Sequence, residues 1–264
     1  MAQDRTVASP VIVSIACWID LLGYGSMLNA ASFDPSCPSA RQAIARLRAF
    51  QDVVARFSRS TFPTLVINDG AVAYRDIGLT RRDRVWPFIE RSHALFEAAN
   101  EADRALGGYG LRAVVAAGLR ARGSNRGLLD QHETLARTIE DLAAGTLTKQ
   151  DALKAVRTYR RVNDVVPQLQ ANFAFARAYT AEQGGRAEGL GGAAFYLDTS
   201  LFRDGIPSWI AAGPPISWQP RQARIAALAT NFVAVDALQP PDDADTHDAM
   251  RTGRELYARL KHGG

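Results

Sequence analysis

The sequence is poor in the residues that build disulfide scaffolds, zinc sites and nucleic-acid grooves. Its two cysteines, Cys17 and Cys37, are too few for a disulfide framework or a cysteine-ligated zinc site. Only three of its 31 basic residues are lysines, and the net charge of +4 is spread without a dense basic run. We therefore expect no nucleic-acid partner. The arginine bias reflects either genomic base composition or a need to bind phosphate groups.

Long apolar segments and targeting signals are also missing. No apolar run reaches the roughly 20 residues that span a bilayer. The N-terminus lacks the charged-then-apolar pattern of a signal peptide. We therefore expect a cytoplasmic protein without a membrane partner.

Several common catalytic motifs are absent. The sequence contains no Walker loop, and no Gly-x-Ser-x-Gly elbow surrounds Ser26 or Ser124. The four histidines show no metal-ligand spacing. These absences exclude P-loop hydrolysis, serine-hydrolase chemistry and a histidine-based metal centre as first hypotheses.

The 264 residues are predicted to form one α+β domain, 1–264, with a helical insertion at 128–183. Branched and alternating apolar runs predict strands, and apolar residues at helical spacing predict helices. The predicted strands are 11–19, 64–67, 72–74, 111–119, 193–197 and 231–235. The predicted helices begin at Ser39 and Pro87, fill the insertion and end the chain. The hairpin at Asn68 favours an antiparallel-rich sheet covered by helices on one face over a doubly wound parallel sheet.

The first predicted helix is amphipathic. A serine cap at Ser39 is expected to start it after Pro38. Its apolar residues recur at helical spacing, whereas Arg41, Arg46, Arg48 and Arg56 are predicted to face solvent.

Two carboxylates occupy comparable positions in this scheme. Asp20 ends the first strand, and Asp69 lies at the tip of the hairpin. If the hairpin pairs beside the first strand, both side chains reach the same end of the sheet. Two converging carboxylates repel each other unless a cation lies between them. Mg²⁺ typically uses one or two carboxylates together with substrate phosphates.

These two segments resemble the metal motifs of class III nucleotide cyclases. Trp18–Gly25 resembles the first motif, and Asn68–Ala73 resembles the second, which lies at a β-hairpin. The resemblance implies a ferredoxin-like palm fold and conversion of a nucleoside triphosphate into a cyclic nucleotide and pyrophosphate. Among bacterial relatives, the cyclase-like proteins of phage defence, which make cyclic pyrimidine nucleotides, are the narrower match.

The resemblance also assigns roles to residues. Asp20 and Asp69 would hold Mg²⁺ or Mn²⁺. The backbone of the segment formed by Leu21, Gly23, Tyr24 and Gly25 would meet the triphosphate. Asn172 and Arg177 would be the catalytic pair that steadies the transition state, and a homodimer is implied.

The sequence departs from the family pattern in three places. Asn68 replaces the usual glycine, Leu65 replaces a base-recognising lysine, and Asn172 and Arg177 are five rather than four residues apart. Each aspartate motif taken alone is also explained as a turn or cap. The alternative is therefore a catalytically inactive, cyclase-derived nucleotide-binding or scaffold protein. A different phosphoryl-transfer enzyme on the same palm is a third possibility.

Overall fold

A computed structural model describes residues 11–79, 84–121, 126–158, 166–221, 227–241 and 243–262. Its strands are β1 (Val11–Leu21), β2 (Thr64–Ile67), β3 (Gly70–Ile77), β4 (Leu111–Ala121), β5 (Phe195–Asp198), β6 (Ile210–Ala212), β7 (Ile216–Trp218) and β8 (Thr230–Leu238). Its helices are α1 (Tyr24–Ala30), α2 (Pro38–Phe57), α3 (Val85–Ala105), α4 (Arg126–Ala143), α5 (Lys149–Thr158), α6 (Phe173–Gly184), α7 (Asp243–Ala249) and α8 (Gly253–His262).

The chain divides into two compact units. The smaller unit comprises residues 1–11 and 121–171, and its described part contains α4 and α5. Thr148 and Asp151 form a capping box at the start of α5, because the Asp151 N–H donates to Thr148 Oγ1 (3.2 Å) and this hydroxyl donates to the Asp151 carboxylate. The predicted insertion, 128–183, overlaps this unit, but α6 belongs to the larger one.

The larger unit, residues 12–120 and 172–264, is built on a single sheet. In the described part of the chain the sheet has eight strands: seven follow the order β2-β3-β1-β4-β5-β8-β6, and the eighth, β7, also pairs with β8. β4 and β5 run parallel, whereas β3 pairs antiparallel with β1 and β2, and β8 pairs antiparallel with β5, β6 and β7. This arrangement confirms the α+β class and the antiparallel-rich sheet.

One face of the sheet forms the main hydrophobic core. Alternate residues of β1 (Ile15, Cys17, Ile19 and Leu21) lie in one buried cluster with apolar residues of α2 and α3. Cys17 is fully buried, and burial raises the pKa of its thiol to about 12. This layer positions β1 and therefore the residues on its other face.

Helix α6 covers the opposite face, so the prediction of helices on one face was wrong. Trp18 of β1 contacts Phe175 and Tyr179 of α6, with ring centroids 5.9 and 5.1 Å apart. Gly118 of β4 permits this approach, because an added Cβ would overlap the Ala174 backbone. The second face therefore carries α6 together with Trp18 and Asp20.

Three further predictions needed correction. Helix α2 begins at Pro38, and Cys37 at its N-cap makes no side-chain cap bond, so Ser39 is not the cap. Arg46 is fully buried rather than facing solvent. The segment between the last two predicted strands, where no strand was predicted, contains β6 and β7.

None of the described helices is both long and apolar enough to cross a membrane.

Candidate functional site

The hairpin places Asp69 beside Asp20. Asp20 pairs with Gly70 in the β1–β3 ladder. Just beyond the ladder, the Leu21 N–H donates to the Asp69 carbonyl at 3.2 Å. The structure therefore brings the two predicted metal ligands to one end of the sheet.

The turn that holds Asp69 has a specific local cause. Ile67 pairs with Gly70, which leaves Asn68 and Asp69 as a two-residue hairpin loop. Asn68 adopts φ 55°, a left-handed conformation that asparagine tolerates better than most residues. Its side-chain amide donates to Asp69 Oδ1 at 2.7 Å. Asn68, a departure from the family pattern, thus orients the carboxylate that follows it.

Gly70 leaves room for the Asp20 carboxylate. A Cβ at this position would overlap the Trp18 ring and would lie 2.9 Å from Asp20 Oδ1. Trp18 and Asp20 are on the same face of β1, because side chains alternate along a strand. The glycine is therefore required by close approach of these side chains.

The electrostatic field at Asp20 is unfavourable to its charged form. Burial, followed by the nearby carboxylates Glu182 and Asp69, raises the pKa of Asp20 to about 8, and Arg112 opposes the shift. Burial also raises the pKa of Asp69. A cation at this end of the sheet would relieve the repulsion.

Arg112 and Glu182 are neighbours of Asp20 that the sequence prediction missed. Glu182 of α6 is only 2% exposed. Arg112 of β4 donates to its Oε1 from Nε (3.1 Å) and Nη2 (2.7 Å), and to the Leu190 carbonyl from Nη1 (3.1 Å). For Arg112, the sequence did contain a signal, because it is a charged residue among the apolar residues of the predicted strand 111–119. For Glu182, no local pattern indicated proximity to Asp20.

The donor set fits an ion that is completed by its substrate. Among the described residues, no group of three or more His, Cys, Asp or Glu side chains could hold a metal. Asp20 and Asp69 supply hard oxygen donors only. This pair suits Mg²⁺ or Mn²⁺ if phosphate and water oxygens fill the remaining positions.

A buried ion pair holds the segment after Asp20 in position. Arg46 contacts both carboxylate oxygens of Asp103, at 2.7 and 3.1 Å, and donates from Nη2 to the Leu22 carbonyl at 2.9 Å. The Leu22 N–H donates to the Gly110 carbonyl, and the Gly110 N–H donates to Asp103. This network fixes the position of Leu22.

Only part of the predicted phosphate-binding segment is accessible. The side chains of Leu21 and Tyr24 are buried, whereas Gly23 adopts φ 74° just before α1. The Tyr109 ring packs over Gly23, since an added Cβ would lie 2.6 Å from Tyr109 Cδ2. Any contact of Leu21 or Tyr24 with a triphosphate is therefore limited to backbone groups, and of the four predicted positions only Gly25 is exposed.

Asn172 and Arg177 lie elsewhere in the same subunit. Asn172 caps α6 by accepting from the Phe175 N–H (3.1 Å) and donates to Ser14 Oγ. Arg177 donates to the Leu228 and Ala117 carbonyls and contacts Asp198. The catalytic roles of these two residues stay predictions.

The separation between Arg177 and Asp20 can be measured along β4. Arg112, which influences Asp20, and Ala117, which accepts from Arg177, are five residues apart in this strand. At about 3.3 Å per residue this is roughly 17 Å. The structure therefore does not bring Arg177 together with Asp20 and Asp69 within one subunit.

Comparisons with known proteins give structural matches only. No protein-family model matches the chain, and no curated protein matches it in sequence. The guanylyl cyclase Cya2 matches with a TM-score of 0.49 and 10% identity, over 89% of this chain and 97% of that one.

Two further guanylyl cyclase structures match in the same way. The guanylate cyclase domain of RhGC from Catenaria anguillulae, solved with GTP, has a TM-score of 0.46 and 9% identity, over 87% of this chain and all of the other. The dimeric guanylyl cyclase domain of RhoGC from Blastocladiella emersonii has a TM-score of 0.40 and 9% identity, over 88% and 99%. With TM-scores below 0.5, these likenesses to guanylyl cyclase domains do not by themselves establish a shared function.

Proposed function

We propose that this chain is a metal-dependent, cyclase-like enzyme that converts a nucleoside triphosphate into a cyclic nucleotide and pyrophosphate. The observation that supports it is the placement of Asp20 and Asp69 at one end of the sheet, where burial and then the carboxylates of Glu182 and Asp69 raise the pKa of Asp20. The Asn68–Asp69 hairpin loop, the hydrogen bond from the Leu21 N–H to the Asp69 carbonyl and the glycine at position 70 maintain this arrangement. A simple turn would not require both acids to converge.

Asp20 and Asp69 are the residues that would hold the metal. The bound Mg²⁺ or Mn²⁺ would neutralise charge on the triphosphate. Asn68 orients the Asp69 carboxylate, and the Arg46–Asp103 pair fixes the backbone of Leu22 beside it.

The reaction makes one bond and breaks one. The ribose 3′-oxygen bonds to the α-phosphorus while the bond to the α,β-bridging oxygen breaks, and pyrophosphate leaves. The hydroxyl proton passes to water. The chain contributes orientation of the triphosphate relative to the hydroxyl.

A homodimer is part of the proposal. Because Arg177 lies roughly 17 Å along β4 from the Asp20 end, only a second copy of the chain would bring an Arg177 to a substrate held there. The narrower proposal is a pyrimidine substrate and a role in phage defence.

The decisive experiment is product analysis with each of the four nucleoside triphosphates and Mn²⁺. We expect a cyclic nucleotide from the wild-type protein and none from Asp69→Asn, which keeps the shape of the side chain. Asp52→Asn is the matched control, because Asp52 is an exposed carboxylate on α2. Absence of cyclic product from the wild-type protein with all four triphosphates would contradict an enzymatic role.

One observation favours the second candidate, a nucleotide-binding protein without catalysis. The Arg177 guanidinium is already engaged by two backbone carbonyls and Asp198, which limits its availability as a transition-state cation. In this case nucleotide with Mn²⁺ should raise the melting temperature of the wild-type protein without being consumed. Consumption of nucleotide would exclude it.

A further inference from the structure

A polar cavity lies in the larger unit between α6, β7, β8 and α8. Its volume is about 380 Å³, within the size range of small-molecule sites. The residues with polar side chains that line it include Arg177, Ser200, Ser217, Gln219, Asn231 and Arg259. This cavity is separate from Asp20 and Asp69, neither of which lines it.

A second, apolar cavity adjoins the polar one. It has a volume of about 420 Å³ and shares Arg177, Ala227 and Leu260 with the first. Leu119, Phe173 and Leu228 supply much of its apolar lining. Phe173 is exposed despite its large ring, which leaves one face open to a ligand.

The charge of the polar cavity is positive. Arg177 and Asp198 are both buried, and their ion pair is internally neutral. Arg259 adds one positive charge from the exposed side of α8. Within the described part of the chain, no carboxylate lies at ion-pair distance from Arg259.

Ser200 supplies an unused hydrogen-bonding group. Ser200 is 5% exposed, and its buried Oγ has no hydrogen-bond partner among the described residues. The backbone cannot easily turn the residue away, because the Ser200 N–H donates to Asp198 Oδ1 at 2.9 Å. A buried hydroxyl without a partner is unfavourable, and a ligand acceptor in the cavity would satisfy it.

We propose that the two adjoining cavities bind a small phosphate-bearing compound with an apolar body. Its phosphate pairs with Arg259 and accepts from Ser200 Oγ, and its apolar part lies against Phe173. Arginine suits this role because its guanidinium pairs bidentately with phosphate oxygens. The cavities contain neither Asp20 nor Asp69, although they share Arg177 with the proposed cyclase site.

Calorimetric titration of the full chain in EDTA tests the proposal with phenyl phosphate, inorganic phosphate and phenol. We expect phenyl phosphate to bind one site, inorganic phosphate to bind more weakly, and phenol to bind weakest. Arg259→Ala should weaken phenyl phosphate binding about tenfold or more, the usual effect of losing a charged hydrogen bond. Arg254→Ala is the matched control, since Arg254 is an exposed arginine on the same helix that does not line either cavity.

Ser200→Ala separates binding from folding. It should weaken phenyl phosphate binding while leaving the unliganded melting temperature unchanged or slightly higher, because the hydroxyl has no partner to lose. A purely structural serine would give the reverse pattern.

Four results would overturn the proposal. They are no binding of phenyl phosphate at millimolar concentration, equal binding by wild type and Arg259→Ala, equal loss in Arg254→Ala, and loss of binding in Asp69→Asn. The last would place the ligand at the Asp20–Asp69 site instead. Binding that survives Asp69→Asn, beside a failed cyclase assay, would support this cavity and reject the proposed activity.

Discussion

At the scale of single residues, the candidate site depends on the lack of a Cβ atom at Gly70. Gly70 lies under both the Trp18 ring and the Asp20 carboxylate, so any Cβ there displaces one of them. Asn68 makes the complementary contribution by accepting a left-handed backbone conformation and hydrogen-bonding Asp69. These two residues define the geometry that the acidic pair requires.

Gly70→Ala should destabilise the fold by about 1–3 kcal/mol, the usual cost of overpacking a tight site. It should also reduce any stabilisation by Mn²⁺, since the Asp20 carboxylate must move. Urea denaturation with and without Mn²⁺ measures both effects. Gly213→Ala is the control, because an added Cβ there would meet nothing closer than 4.0 Å. Equal free energies of unfolding for the two variants would contradict the close approach.

Asp20→Asn should change the pH dependence of stability in EDTA. Folding raises the pKa of Asp20 from 3.8 to about 8, mainly through burial and then through Glu182 and Asp69. Well below pH 3.8 the carboxyl is protonated in both states, so it carries no charge penalty. As the pH rises toward 8, the unfolded chain ionises first, and the wild-type protein loses stability relative to the variant.

Near pH 8 we expect Asp20→Asn to be more stable by about 1–3 kcal/mol, a value reduced for partial solvent exposure. Mn²⁺ should shrink or reverse the difference, because it favours the ionised carboxylate. Thermal unfolding between pH 4 and 8 measures it. A difference that does not vary with pH would show that Asp20 titrates normally.

At the scale of secondary-structure elements, the Arg46–Asp103 pair joins α2 and α3 to the segment after β1. Arg46 lies on the buried side of α2, between Ala43 and Phe50 in helical register. Its position was therefore readable from the spacing of the apolar residues, although a charged residue was predicted to face solvent. The bidentate contact and the bond to Leu22 explain why it is tolerated inside.

Arg46→Met should destabilise the protein by about 3–5 kcal/mol, because it leaves the Asp103 carboxylate buried without its cation. Asp103→Asn in the same background should recover part of that loss. Chemical denaturation of the two single variants and the double variant measures the coupling. Arg48→Met, an exposed position on the same helix, should change stability little. Additive effects of the two changes would show that the pair does not act as a unit.

At the scale of the whole molecule, the sequence predicted elements better than it predicted their layering. The first strand, the hairpin, the two long helices and the α+β class follow from local periodicity and turn chemistry, and the structure contains them. The packing of α6 on the second face could not be predicted, because the residues of α6 and β1 that meet there are more than 150 positions apart in the sequence. Glu182 was missed for the same reason.

β6 and β7 show a different limit. Each has only three residues, and both lie among prolines that usually interrupt strands. They form because β8 offers both partners antiparallel pairing. Such short edge strands carry too little sequence pattern to be distinguished from a connector.

The proposed dimer is also a property of the whole molecule. Size-exclusion chromatography with light scattering should give twice the 28.6 kDa chain mass. Mixing Asp69→Asn with Arg177→Lys should then restore some activity that neither variant has alone, because one mixed site would contain both native residues. A monomeric mass under assay conditions in an active sample would contradict the shared-site arrangement.

The alternation of side chains along β1 places core residues on one face of the strand and residues of the candidate site on the other. Ile19 and Leu21 enter the core, whereas Trp18 and Asp20 face α6. Deleting or inserting one residue in this strand would turn Asp20 into the core and Leu21 toward the acidic cluster. Length changes in β1 should therefore be far less tolerated than substitutions, since no intermediate register preserves either face.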